Sequence, residues 1–557
     1  MRKFTIGAAL SLLCAMSASA QDPNSNQNPT TMQQVVARAI ASENRLNQEV
    51  RKYRPLVETY IQELKPDKEL GFVPGGDKYF MGRADFSKGI QLVSLSEGPG
   101  KGRKFISDVG GFFTFGMEFL PDGFLQMVFI DTSMFDDQHY KFEYVRREFL
   151  GEVRCFVFDV TPIGTKTKGR FIGRIWVEDQ GYNVVRFNGA YTGSGRSSYF
   201  FHFDSWRTNV QPGLWMPSFI YCEERNLHYG LGSRLDFKAQ TRLWGYNVGR
   251  TAQEQELGKI LVETPVNDES QTANDNSPVQ AQRLWDRQAE DNLVDRLQRI
   301  GLLAPRGEVD KILDTVVNNL EVTNNLDLQP DARCRVLMTT SLESFTLGHT
   351  IVLSRGLIDV LPDEASLATI IAHELSHVVL GHRLDPSFAF FDQLLVEDKK
   401  TFRHFGFART PDEEKQANAK TMELLKNSPY KDQLGNAALF LAALEKRQKE
   451  IPNLISPHLG NRVPILADLK TTPVAASAKN APQIVALPLG GRIKMDSWND
   501  RLELIKSKPA GGVAEREKMP FELTPFMPYL TRYGADSSKP IAASASSETS
   551  DPAKKPE

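Results

Sequence analysis

The chain has 557 residues, 41% of them hydrophobic and 24% charged, with a formal net charge of -2. That length exceeds one ordinary core and predicts two or three domains of a globular protein. The near-neutral charge gives no electrostatic case for nucleic acid or an anionic membrane surface as partner.

Taken in order, the chain opens with Arg2 and Lys3, an apolar run from Phe4 to Ala15, and Ala18-Ser19-Ala20. This is the layout of a secretory signal, residues 1–20, with an A-x-A cleavage site and an apolar run too short to span a bilayer. Leu13 before Cys14 argues against lipoprotein processing and for cleavage after Ala20. Later in the chain no apolar run is long enough for a transmembrane helix, so the expectation is a soluble periplasmic or extracellular protein. Three cysteines then remain, Cys155, Cys222 and Cys334, an odd number that specifies no disulfide framework. Buried free thiols are the reading, with pairing of Cys155 and Cys222 as the alternative.

Residues 21–66 are expected to form an N-terminal helical segment after a polar stretch, 21–31. Val35, Val36, Ala39, Ile40 and then Leu56, Val57, Tyr60, Ile61 and Leu64 recur at spacings of three and four, and Pro66 closes the run. Residues 67–255 change to short β-rich segments between turn signals, predicting an antiparallel meander or open barrel. The segments are Lys104–Ile106, Phe124–Ile130, Cys155–Val160, Arg170–Val177, Asn183–Phe187, Tyr199–Phe203, Leu214–Tyr221 and Arg234–Lys238. Asp179-Gln180-Gly181 suits a hairpin with the glycine at positive φ. The curved sheets of periplasmic lipoprotein carriers look similar in outline, without assigning a role. Its aromatics are read as core, and His139, His202 and His228 as structural.

Residues 256–283 are the predicted linker. An amphipathic helix at about 281–300 follows, with Leu284, Trp285, Leu293, Leu297 and Ile300 as its stripe, then a helix at about 307–320. Strands are expected at Arg333–Met338 and from Phe345 to Leu353. Next comes Asp363-Glu-Ala-Ser-Leu-Ala-Thr-Ile-Ile-Ala-His-Glu-Leu-Ser-His-Val-Val-Leu-Gly-His382, whose apolar spacing predicts a helix with a buried face. His373 and His377 lie one above the other on such a helix, so both imidazoles can reach one ion, with Glu374 beside them as general base. That is the zinc-hydrolase pattern HExxH. A helix starts near Thr410-Pro411, another covers 434–450, and the domain spans 284–470. Residues 471–535 are expected to wrap the catalytic domain, and 536–557 to be a disordered tail.

A catalytic zinc needs three protein ligands and one open position. His382 stands nine residues after His373, not ten as in HExxHxxGxxH, and is read as a helix-end residue supporting the ligands. An acid on the later helix is the better third ligand. Here the chain resembles the HtpX and CAAX-prenyl-protease group of zinc peptidases (the peptidase M-forty-eight family), in which HExxH is followed by a Glu-x-x-Ala-Asp helix. The likeness spans about 285–470 and rests on Glu414-Lys-Gln-Ala-Asn418, Asp363–Ala368, Asn427-Ser-Pro-Tyr and the stretch from Ser344 through Leu361. It implies Glu414 as the zinc ligand, with Glu413 as the register-slipped alternative. Asn418 stands where the family usually has Asp, which implies a weaker hold on a ligand histidine. His458 and Arg462 resemble, at shortened spacing, the family's pair that stabilises the tetrahedral intermediate, with plain structural roles as the alternative. Phe345, Thr346 and Leu347 correspond to the strand edge on which substrate backbone would add.

The expected fold is multidomain α+β: a mainly helical zincin-type domain with a small edge sheet, preceded by an antiparallel β-rich domain. The expected activity is that of an extracytoplasmic zinc metalloendopeptidase with one zinc per chain, acting on protein or peptide substrates in envelope protein quality control. The competing expectation is a chaperone-like or binding protein whose metal site is degenerate or occluded. A zinc hydrolase acting on a non-peptide substrate is a third.

Overall fold

The computed structural model describes residues 31–67, 71–87, 89–94, 121–164, 167–193, 201–229, 233–246, 278–382, 406–463, 493–496, 501–504, 523 and 528–534. The signal, the 256–277 part of the linker, Lys104–Ile106 and the tail lie outside them.

Helix α1, Met32–Glu49, starts at a capping box in which Thr31 and Gln34 each accept a hydrogen bond from the other's backbone N–H at 3.3 Å. The predicted helix does not continue to residue 65: Leu56–Asp67 is strand β1. The reason is visible in what its side chains meet. Leu56 and Tyr60 enter one core cluster while Val57 and Ile61 enter another. A strand apolar on both faces loses its period-two alternation and leaves spacings of one and four that imitate a helix.

The remaining strands of the first unit are β2 (Gly71–Asp85), β3 (Gln91–Ser94), β4 (Tyr140–Leu150), β5 (Val153–Pro162), β6 (Phe171–Glu178), β7 (Val184–Tyr191), β8 (Phe203–Gln211), β9 (Leu214–Tyr229) and β10 (Ser233–Trp244). With β1 they form one antiparallel ten-stranded sheet in the order β3-β2-β1-β10-β9-β8-β7-β6-β5-β4. The meander expected from the sequence is therefore present. Phe124–Ile130, expected as a strand, instead ends helix α2 (Pro121–Gln126) and continues into turns. Its apolar side chains are buried without alternation, a pattern that periodicity cannot separate from a helix. In the β6–β7 turn, positive φ falls at Tyr182 and not at Gly181. Gly181 is needed for space: a Cβ there would lie 2.5 Å from Asn183 Nδ2 and 2.8 Å from Glu178 Oε1. The Glu178 carboxylate anchors this turn by accepting from the backbone N–H groups of Gln180, Gly181 and Asn183.

Both faces of the sheet are covered. Phe156, Phe158, Phe187 and Phe203 pack under α1 and α2, whereas Cys155, Val157, Trp206 and Trp215 face the other way. Cys155 and Cys222 belong to these opposite layers, and all three described cysteines are buried free thiols. Where it is described, the C-terminal segment meets both units: Arg501–Leu504 lies against the helix Glu308–Thr323 and Leu523 packs into the core with Leu353 and Leu375. Leu530 joins the Trp206 layer, and Arg532 pairs with Glu178 and Asp179, so residues 528–534 cover the sheet.

The second unit contains α3 (Pro278–Arg299), α4 (Glu308–Thr323), β11 (Arg333–Leu337), β12 (Glu343–Leu347), β13 (Thr350–Ser354), α5 (Arg355–Val360), α6 (Glu364–Val379), α7 (Pro411–Lys426), α8 (Leu434–Arg447), α9 (Pro452–Ile455) and β14 (Asn461–Arg462). The four strands order as β11-β13-β12-β14, with β11 parallel to β13 and β12 antiparallel to both neighbours. A separate pair, β15 (Ile493–Asp496) and β16 (Arg501–Leu504), is antiparallel.

The two units share a core: Leu56, Tyr60, Met81 and Trp244 of the large sheet pack with Leu342, Leu353 and Leu357 of the second unit. A buried polar knot fixes their orientation. Glu58 of β1 pairs with Arg242 at 3.1 Å and accepts from Thr340 N at 2.6 Å, Thr340 Oγ1 at 2.7 Å and Tyr79 Oη at 2.8 Å. Arg242 in turn donates to Met338 O at 2.8 Å. Glu58→Ala removes the carboxylate that balances the buried Arg242 guanidinium and should cost about 3–5 kcal/mol, read as a shifted urea midpoint with both units unfolding earlier. An unchanged midpoint would show that the knot does not hold the units together.

Candidate metal centre

Helix α6 is capped by Asp363, whose side chain accepts from Ser366 N at 2.8 Å. Every residue from Ala365 to Val378 is buried, so this is the central helix of its unit and not a surface helix with one apolar stripe. His373, Glu374 and His377 therefore sit in the core. The two imidazoles, one helical turn apart, face each other with Nε2 atoms separated by 3.3 Å.

Helix α7 supplies the third group. Thr410 caps it, Pro411 fills the first turn, and Glu413 completes a capping box by accepting from Thr410 N and Oγ1, each at 2.9 Å. That engagement turns Glu413 away from the histidines. Glu414, one residue on, points its carboxylate at them: Oε2 is 3.2 Å from His373 Nε2 and Oε1 is 3.6 Å from His377 Nε2. Ligands about 2.0–2.1 Å from a tetrahedral zinc must lie roughly 3.3 Å from one another. The three observed separations match that requirement. Among the described residues Glu414 Oε1 is buried without a hydrogen-bond donor, which is the environment of an oxygen reserved for a cation. Among the described residues, His373, His377 and Glu414 are the group able to hold a metal ion.

The surroundings prepare these ligands. Burial foremost, then the nearby His373, Arg409 and His382, hold the His377 imidazole down to a pKa of about 2, so it presents a neutral ring. His382 lies 2.9 Å from His377, Nδ1 to Nδ1, and its Nε2 is 3.4 Å from Gln416 Oε1. With a cation held at His377 Nε2, its Nδ1–H would donate to His382, which would fix the tautomer. The corresponding atom on the other histidine, His373 Nδ1, is buried without a hydrogen-bond partner among the described residues, as is Asn418 Oδ1 on α7. The general-base candidate Glu374 accepts from Ser344 Oγ at its Oε1 and from Thr346 Oγ1 at its Oε2, both at 2.6 Å.

The other sequence-derived candidates sit as follows. Phe345, Thr346 and Leu347 lie in β12 but are fully buried, because the chain itself covers this edge. Arg409 Nη2 donates to Thr346 O at 3.1 Å, Phe407 stacks on Phe345 with ring centroids 4.6 Å apart, and β14 pairs with Glu343 and Ser344. The approach is tight: a Cβ on Gly460 would meet Phe345 Cδ1 at 2.3 Å. His458 stacks on Tyr79, centroids 4.2 Å apart, and its Nε2 donates to Asn453 O at 3.1 Å. The stack engages it with the large sheet and the hydrogen bond with its own unit's helix Pro452–Ile455. Arg462 contributes backbone to β14, and its side chain lies outside the described residues. Arg409 was missed in the sequence. A lone arginine just before a capping threonine carries no motif, yet its guanidinium faces Glu374, Glu413 and Glu414.

Residues 308–425 match the model of Peptidase family M48. A search of the curated proteins finds no match. Among solved structures, a DUF1329 family protein from Desulfovibrio piger ATCC 29098 is 12% identical, with 39% of this chain and 96% of that one covered, at a TM-score of 0.23. At that score the likeness carries no argument.

The unpaired Asn418 amide oxygen and His373 Nδ1 generate a prediction. Asn418→Asp places a charged acceptor on the helix packed against α6 and should tighten zinc binding by about tenfold, measured by chelator competition. Unchanged or weaker binding would show that position 418 does not act on the ligand histidine.

Proposed function

We propose that this chain is an extracytoplasmic zinc metalloendopeptidase whose catalytic unit is the Peptidase family M48 domain at residues 308–425. The observation that carries this reading is the convergence of His373 Nε2, His377 Nε2 and Glu414 to separations of 3.2–3.6 Å beside a buried Glu374. His373, His377 and Glu414 would hold one zinc ion per chain. When bound, that ion supplies Lewis acidity, which brings the pKa of a water towards neutrality and polarises a carbonyl.

The protein's own groups do the rest. Glu374 takes the proton of the attacking water on a carboxylate oxygen and later delivers it to the leaving amine. The His382–His377 bond keeps the ligand ring in one tautomer and orientation. His458, bound to Asn453 and Tyr79, serves the join between the units in this arrangement. Protein or peptide substrates follow from the family. Export is supported by the charged, apolar and A-x-A layout of residues 1–20, and no helix among the described residues is long and apolar enough to cross a membrane. Action on misfolded envelope proteins is the role that fits this location. Glu374→Gln should abolish cleavage of an unfolded casein-type substrate, by about 10²-fold or more, with zinc still bound. Cleavage that survives the change removes the mechanism.

A second reading, of an occluded site, is favoured by the covering of β12. Substrate backbone needs the Thr346 carbonyl, and Arg409 holds it. Arg409→Ala should then raise kcat/KM on unfolded substrate severalfold, in a steady-state assay. A fall instead would place Arg409 in the reaction itself and end its role as a cover.

A further inference from the structure

We infer that Ser344 and Thr346 are positioning residues that set the general base, acting as a two-hydroxyl clamp on the Glu374 carboxylate. The inference rests on the peptidase reading above and concerns two side-chain hydroxyls to which that reading gave no role.

Ser344 and Thr346 are two apart on β12, so their side chains leave the same face of the strand, towards α6. Phe345 and Leu347 leave the other way and join the shared core. All five residues of this strand are buried, and a buried hydroxyl needs a partner. Both hydroxyls find it in one carboxylate: Ser344 Oγ takes Oε1 and Thr346 Oγ1 takes Oε2, each at 2.6 Å, the length of charge-assisted bonds. Thr346 Oγ1 is also 3.3 Å from Glu374 O, so the threonine touches the same residue twice.

The division of one donor per oxygen is what separates a clamp from ordinary satisfaction of buried groups. Terminal torsions of Glu side chains are broad, and a carboxylate held at one oxygen still turns about its last bond. Held at both, it has a fixed plane. Each oxygen keeps a further lone pair, so the base can still accept a water proton. The orientation comes from a strand, which is more rigid than a loop, and general bases need placement within about half an ångström. The same strand also carries the carbonyl that Arg409 occupies, so the element that would meet substrate backbone is the element that aims the base.

The test uses the full chain, loaded with zinc, in five forms: parent, Ser344→Ala, Thr346→Val, the double variant and Thr346→Ser. Valine keeps the shape of threonine without the hydroxyl. The double variant should keep stoichiometric zinc, because the three ligands are untouched, and should keep KM within about twofold. Its kcat on unfolded casein should fall about 10- to 100-fold, a share of what a positioned base contributes. Thr346→Ser should restore kcat to within about threefold of the parent. A second readout needs no turnover: the hydroxyl proton of a peptide hydroxamate goes to the general base, so the double variant should bind it about tenfold more weakly. Parent-like kcat and hydroxamate affinity in a folded, zinc-loaded double variant overturn the clamp. Loss of zinc or of the cooperative unfolding transition in all variants overturns it in favour of a purely structural role. If the parent cleaves nothing, the peptidase reading falls, and hydroxamate affinity alone decides: equal binding by parent and double variant refutes the inference.

Discussion

Two imidazole nitrogens 3.3 Å apart in a buried helix, with a carboxylate closing the triangle, set the constraint on which the rest of this molecule depends. Away from solvent, lone pairs that face one another need a cation between them. Their placement requires α6 to be a central helix, α7 to start at a defined point, and the capping box at Thr410 to select which of two adjacent glutamates turns inward. Moving the start of α7 by one residue would rotate the acid by about 100° around the helix and dissolve the site.

Strand β12 is the second fixed point, and it ties the large sheet to the chemistry. Its first residue, Glu343, accepts from the backbone N–H groups of His458, Leu459 and Gly460, which brings β14 alongside. Just before it, Thr340 is bound by Glu58 of the large sheet. Ser344 and Thr346 reach Glu374 from the same strand. The ten-stranded unit is thus no detached appendage. It holds the turn that leads into β12, and through that strand it bears on where the Glu374 carboxylate lies.

How much was legible in the sequence followed from how local each signal is. The pair His373 and His377, one turn apart, and the Thr410-Pro411 helix start are short-range patterns, and the structure places them as the spacing implied. The choice of Glu414 over Glu413 needed the capping geometry, which depends on one hydroxyl and could not be read from spacing alone. The meander was legible from turn spacing. Residues 56–65 and 124–130 were not, because burial on every side erases the periodicity that tells strand from helix. The covered edge of β12 was also hidden: Arg409 and Thr346 are sixty-three residues apart, and no local pattern announces such a contact.

The central claim is tested most directly by locating the metal. Crystals of the zinc-loaded full chain, measured at the zinc absorption edge, should show one anomalous peak per chain about 2.0–2.1 Å from His373 Nε2, His377 Nε2 and a Glu414 oxygen. A peak elsewhere, or one from which Glu414 is turned away with no other acid in its place, would contradict the account.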